Sequence, residues 1–194
     1  MFRPMARTDD LYSLPAGLPV PQDDGAAKHL PHAMVPPIAL PSTGGREVVL
    51  AEESQGRRLI VYAYPRTGEP DKDPPPGWDA IPGARGCTPQ SCGYRDAHAE
   101  IARLGASVYG LSTQTTGYQR EMAQRLHLPF EVLSDAGLRF TRALKLPTFE
   151  ISGMTLIKRL TLVLFRGEVE HVFYPVFPPD GSAQEVLDWL RGKV

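Results

Sequence analysis

The run Leu59-Ile60-Val61-Tyr62-Ala63-Tyr64 is apolar at all six positions. It lacks the polar–apolar alternation of a strand with one wet face. Such a strand must be covered on both sides, which requires layers of chain above and below its sheet. Beyond residue 105 strand and helix patterns alternate. Ser107 to Leu111 reads as a strand, and Tyr118, Met122 and Leu126 mark a helix at i, i+4, i+8. Phe130 to Leu133 is a short strand, after which Ser134 is expected to cap a helix reaching about Leu144. Leu160 to Phe165 and Val169 to Tyr174 form a hairpin around Arg166-Gly167, and Ser182 with Glu185 reads as a capping box for a last helix. The alternation implies an α/β layer structure, and the closing hairpin makes its sheet mixed.

With 194 residues, 42% of them hydrophobic, the chain can bury one full core. A formal charge of -1 gives no broad electrostatic reason to bind nucleic acid or an anionic membrane. The apolar run at 160–165 is far too short to span a bilayer. Near the N-terminus, Asp9, Asp10 and several prolines stand where a signal peptide would need an apolar stretch, so a cytoplasmic location is expected.

Residues 1–34 hold Pro4, Pro15, Pro19, Pro21 and Pro31 with little periodicity, and read as an arm wrapping a domain over 35–194. A hairpin is expected from Ile38 to Leu50 about the turn Ser42-Thr43-Gly44-Gly45. From Pro65 to Gly86 the chain is rich in Pro, Gly and Asp. Structureless loops of that length inside a compact domain are usually functional. Thr88-Pro89 then reads as a helix cap and first helical position. Tyr94, Ala97, Ile101 and Leu104 share one face of that helix, and Gly105 supplies its stop.

Two cysteines five positions apart, Cys87 and Cys92, read as redox chemistry, as half a metal site, or as coincidence. Cys87 falls at the start of the expected helix, facing unpaired backbone N–H groups and the positive end of the dipole. Both favour a thiolate, which is the nucleophile; a cysteine serving packing alone would more often sit mid-helix. In an intact helix the Cα atoms of residues five apart are roughly 8–9 Å from one another. A disulfide needs about 4.4–6.8 Å. A bond between the two therefore requires the first turns to unwind, and Gly93 weakens the helix there. The alternative is that Cys92 is a small buried residue.

The stretch Gly86-Cys87-Thr88-Pro89-Gln90-Ser91-Cys92-Gly93-Tyr94-Arg95-Asp96 resembles the active-site segment of the peroxiredoxin Q (bacterioferritin comigratory protein) group, with its Gly-Cys-Thr start, C-x4-C spacing and aromatic-Arg-Asp ending. Tyr64-Pro65, Leu111-Ser112, Leu128-Pro129-Phe130, Leu133-Ser134-Asp135 and Arg159-Leu160-Thr161-Leu162-Val163-Leu164 resemble later family segments in the same order. The resemblance spans about 35–191. It implies a thioredoxin-like fold and reduction of hydrogen peroxide or organic hydroperoxides without metal, flavin or other cofactor. By that resemblance Cys87 attacks the peroxide and becomes a sulfenic acid. Cys92 then resolves it as a disulfide, and thioredoxin or a similar dithiol protein reduces the product. Arg159 would stand beside Cys87, favouring the thiolate and donating to the peroxide oxygens. The group is commonly monomeric, and a monomer is expected.

Two departures matter. The family reads Pro-x-x-x-Thr-x-x-Cys, with the Thr hydroxyl engaging thiolate and peroxide, yet Ala84 stands three before Cys87. Pro65 with Thr67 looks like the start of that motif, cut off from Gly86-Cys87 by a Pro-rich insertion over 68–85. Either the insertion bulges out and Thr67 still reaches the site, or that hydroxyl is lost; the first is expected. Gln90 stands where the group commonly has Glu. The amide can still accept from Arg159, and the missing negative charge is expected to help keep Cys87 ionised.

The insertion reads as a flap shaping peroxide access or reductase docking, or else as a solvated loop. His29-x-x-His32 has metal-like spacing, but it lies in the arm without Cys or acidic partners, and His98, His127 and His171 are dispersed. No metal site is expected. The rival readings are a thiol–disulfide oxidoreductase, which usually needs C-x-x-C, and a thioredoxin-fold binding module with incidental cysteines.

Overall fold

The computed structural model describes residues 10–193. Pro4 and Asp9 of the arm, and the terminal Val194, lie outside the described residues. The chain runs through β1 (Ala39–Pro41), β2 (Glu47–Val49), α1 (Leu50–Glu53), β3 (Arg58–Ala63), α2 (Cys87–Arg103), β4 (Ala106–Ser112), α3 (Thr116–Arg125), β5 (Val132–Ser134), α4 (Arg139–Leu144), β6 (Thr148–Ile151), β7 (Met154–Ile157), β8 (Leu160–Phe165), β9 (Glu168–Phe173) and α5 (Ser182–Arg191).

The central sheet has the order β5-β4-β3-β8-β9. β3 pairs in parallel with β4 and antiparallel with β8, so the sheet is mixed, as the alternation predicts. Leu59, Val61 and Ala63 of β3 point to one face, where they join Leu160, Leu162 and Leu164 of β8 under the N-terminal hairpin and α4. Ile60 and Tyr62, with Tyr64 just beyond the strand, point to the other, where α2, α3 and α5 cover them. Both faces are dry. That is why this strand carries no polar position after Arg58.

Within the arm Leu30 is fully buried, and Val35, just beyond it, is nearly so. The backbone there docks on the edge of β9: His32 N donates to Val169 O at 2.9 Å, and Val35 N to Gly167 O at 2.8 Å. Asp24 accepts from Lys158 Nζ at 2.6 Å and from Tyr174 Oη at 2.8 Å. The insertion is anchored at two points rather than wholly solvated. Trp78 and Ala84 are buried with Leu156, and Phe149, Ile151 and Met154 pack around them. The β6–β7 hairpin, which has no clear signature in the sequence, is thus the floor on which the insertion rests.

Two expected caps are different in the structure. Ser134 ends β5 and its hydroxyl donates to Gln114 O at 2.7 Å. Its neighbour Asp135 caps α4 instead, its carboxylate accepting from Phe140 N, Thr141 N and Thr141 Oγ1 at 3.1, 2.7 and 2.6 Å. Asp135 is nearly buried, so its loss would strand three donors away from water. Asp135→Ala is expected to cost about 2 kcal/mol, read as a lower urea midpoint with unchanged m-value. The second is Ser182, whose hydroxyl makes no capping bond to α5 and points elsewhere.

Candidate active site

Cys87 is the first residue of α2, and Gly86 before it takes the cap position with φ 96°. Thr88 and Pro89 are therefore the second and third helical residues rather than cap and first. Pro89 costs the helix nothing, since its missing N–H falls among the first four, which lack an intrahelical acceptor. Glycine is needed at 86 for two reasons. The left-handed conformation is strained for other residues, and an added Cβ would lie 2.6 Å from Pro179 Cγ and 2.7 Å from Leu14 Cδ2. The cysteine is held at the amide-rich end of a long helix and is only 3% exposed.

Arg159 immediately precedes β8 and is likewise 3% exposed. Its Nη2 lies 3.2 Å from Cys87 Sγ, and the same nitrogen is shared with the carbonyls of Gly83, Ala84 and Arg85 at 3.2, 3.3 and 2.9 Å. Nη1 donates to Gln90 Oε1. Its partners are thus neutral oxygens and one sulfur, with no carboxylate among them. Gln90, fully buried, accepts from Arg159 as expected and with its own Nε2 donates to Ser182 Oγ at 3.3 Å.

Thr67 is brought to the same cavity as Cys87, together with Arg66, Trp78, Gly86 and Tyr118. The insertion bulges away between Thr67 and Cys87, and both residues line one cavity. Tyr118 Oη donates to Thr67 O at 2.6 Å, and Arg125 Nη2 to Gly68 O at 3.2 Å, which pins the start of the insertion to α3. Thr67 Oγ1 is buried without a hydrogen-bond partner. A hydroxyl in that condition beside a cysteine is a vacant donor and acceptor for a small polar ligand.

Cys92 is half-buried on the same unbroken helix, and both thiols are free. Burial pushes its thiol above the usual range, against the pull of Arg95 and Arg125. Gly93 is the point where α2 meets the turn before α5: an added Cβ would lie 3.3 Å from Asp180 O and 3.7 Å from Ala183 Cβ. Beneath the helix, Tyr62 and Tyr94 stack with ring centroids 4.4 Å apart, and Tyr62 Oη donates to Ser91 Oγ at 3.1 Å.

Ser182, Tyr94 and Tyr118 acquire their places only in three dimensions; in the sequence each reads as a cap or as helix-face residue. His29 bonds the Leu144 carbonyl at 2.9 Å. Among the described residues no group of three or more His, Cys, Asp or Glu side chains is placed to hold a metal ion.

The Redoxin family model matches residues 30–187. The chain is also 30% identical over 187 residues to chloroplastic peroxiredoxin Q of Gentiana triflora, covering 93% of this chain and 78% of that one. This chain is a peroxiredoxin of the Q group. This peroxiredoxin is 29% identical over 162 residues to peroxiredoxin Bcp of Escherichia coli, covering 81% of this chain and 93% of that protein. Its fold is shared by the crystal structure of peroxidoxin BcpB from Mycobacterium tuberculosis, with a TM-score of 0.68, 24% identity, and coverage of 84% and 97% of the two chains. The mixed sheet between two helical layers is accordingly the thioredoxin-like fold of the peroxiredoxins.

Proposed function

We propose that this peroxiredoxin reduces hydrogen peroxide and organic hydroperoxides through Cys87, with Cys92 as resolving cysteine and thioredoxin or a similar dithiol protein as reductant. The observation that carries the reading is the Arg159 guanidinium 3.2 Å from Cys87 Sγ at the N-terminus of α2. The thiolate attacks the terminal peroxide oxygen and the O–O bond breaks. That oxygen stays on sulfur as a sulfenic acid, while the other leaves as alkoxide or hydroxide and takes a proton from solvent. Arg159 and the free Thr67 hydroxyl are aimed at the charge that develops on the peroxide oxygens, and the backbone of Gly86 and the Gln90 amide hold the pocket and the guanidinium in place.

Resolution is the attack of the Cys92 thiolate on the Cys87 sulfenic sulfur, releasing hydroxide, which leaves as water. The intact helix holds the two sulfurs apart, so α2 unwinds locally before this step. Unwinding also frees Cys92 from the burial that holds its thiol high. Exchange with a dithiol restores both thiols and leaves the partner oxidised. Continuous C-x4-C helix counts against a general disulfide oxidoreductase, whose C-x-x-C sulfurs meet without unwinding. A monomer working in the cytoplasm, which keeps thiols reduced, fits this cycle.

The test is stopped-flow mixing of the reduced protein with hydrogen peroxide and with an alkyl hydroperoxide. Cys87 is expected to be consumed far faster than free cysteine, with loss of both thiols as one disulfide. Oxidation no faster than free cysteine would sink the reading.

A further inference from the structure

The hydroxyl of Ser182 stands at a helix start and yet caps nothing in its own helix. The cap position of α5 is taken by Gly181, which has no side chain, and Ser182 is the first residue of the helix. Here the side chain is turned across the interface to α2, where it accepts from Gln90 Nε2 at 3.3 Å and shares a hydrogen bond with Tyr94 Oη at 3.0 Å. Tyr94 Oη in turn shares one with Thr161 Oγ1 of β8 at 3.1 Å. All four side chains are buried, Ser182 being 2% exposed and Gln90, Tyr94 and Thr161 fully enclosed. Gln90 carries the chain onward to Arg159 Nη1, whose other amino group faces Cys87 Sγ.

The connection depends on the amide. Gln90 accepts from Arg159 with its oxygen and donates to Ser182 with its nitrogen, so one side chain couples the guanidinium to α5. The same two bonds also tie the first two turns of α2, through residues 90 and 94, to the start of α5. Close packing at Gly86 against Pro179 and at Gly93 against Asp180 and Ala183 borders this tie on both sides.

We propose that Ser182 is a positioning residue for both steps of the cycle. Through Gln90 it holds the Arg159 guanidinium on Cys87, and through Gln90 and Tyr94 it latches the turns of α2 that must unwind before Cys92 can reach Cys87. The inference rests on the function proposed above. The two effects have opposite signs on the two rates, whereas a general loss of activity would lower both.

The test uses the full chain. Stopped-flow of Ser182→Ala and of Ser182→Ala/Cys92→Ser follows Cys87 oxidation by hydrogen peroxide. Mass spectrometry of quenched samples follows disulfide formation in the former, and the fraction of Cys87 carried on to sulfinic acid by excess peroxide. Loss of the hydroxyl is expected to slow Cys87 oxidation about tenfold and to speed disulfide formation by about the same factor. Less sulfinic acid then accumulates. Tyr94→Phe removes the latch at the second turn while leaving Ser182 on Gln90. It is expected to speed disulfide formation with the oxidation rate within about twofold of wild type.

A folded Ser182→Ala protein with both rates unchanged, or with both falling together, overturns the proposal. If that variant does not fold, an unchanged disulfide rate in Tyr94→Phe overturns it equally. Absence of fast Cys87 oxidation in the wild-type protein would instead remove the peroxidase reading itself, so the two failures are separable.

Discussion

Arg159→Lys is expected to slow the oxidation of Cys87 by peroxide about 10²–10³-fold, the scale of losing a preorganised donor to a developing oxyanion. A lysine keeps one positive charge but cannot reproduce the geometry. The guanidinium spans Gln90 Oε1 on one amino group and Cys87 Sγ on the other, and the sulfur-facing group also serves three carbonyls at the end of the insertion. An ammonium is a point donor on a flexible stem and cannot hold both ends of that span. The carbonyls of Gly83, Ala84 and Arg85 would also lose the guanidinium donor, so the variant should open the 83–86 corner as well. Single-turnover stopped-flow with circular dichroism as the fold control measures this. A rate within threefold of wild type in a folded variant would show that the guanidinium is not aimed at the reacting atoms.

Cys92→Ser should divide the cycle. Turnover with a dithiol reductant and peroxide is expected to fall to background, because no thiol remains on α2 to displace hydroxide from the sulfenic sulfur. The first oxidation should keep its wild-type rate, since Cys87 owes its surroundings to Arg159, Gly86 and Thr67 and not to Cys92. Intact-mass measurement after one equivalent of peroxide should find one added oxygen on Cys87 in this variant and a loss of two hydrogens in the wild type. Excess peroxide should then carry the unresolved sulfenic acid to the sulfinic state. Full turnover by Cys92→Ser would remove Cys92 from the reaction and leave Cys87 in place.

Much of this architecture is legible because the two central strands are buried on both faces. Residues 59–64 and 160–165 carry almost no polar side chains, so composition alone marks them. Position 87 is legible for a different reason: Pro89 is tolerated only in the first turn of a helix, so a helix through this segment has to start close to Cys87. The misreadings arise where local pattern leaves the partner undecided. Ser134 and Asp135 are both good caps, and which one turns toward α4 depends on β5 ending at Ser134. The Ser182–Glu185 spacing has the form of a capping box, but the buried amide of Gln90 lies within reach of the serine hydroxyl and takes it. The β6–β7 hairpin escapes because its burial comes from Trp78 and Ala84, some seventy residues earlier in the chain. Thr67 is identifiable only from the fragment of motif around Pro65, and its place in the cavity that Cys87 also lines depends on how the insertion folds back.

Gly93 places two demands on one position. While the thiols are reduced, the absence of a side chain lets α2 lie against Asp180 and Ala183; once Cys87 is oxidised, the same absence lowers the cost of losing helical structure beside Cys92. An alanine would bring its Cβ to 3.3 Å from Asp180 O, so that the turn has to give slightly, and it would hold the helix more firmly than glycine does. Descendants of this sequence would therefore meet two separate selective filters at one codon, one on packing and one on helix strength.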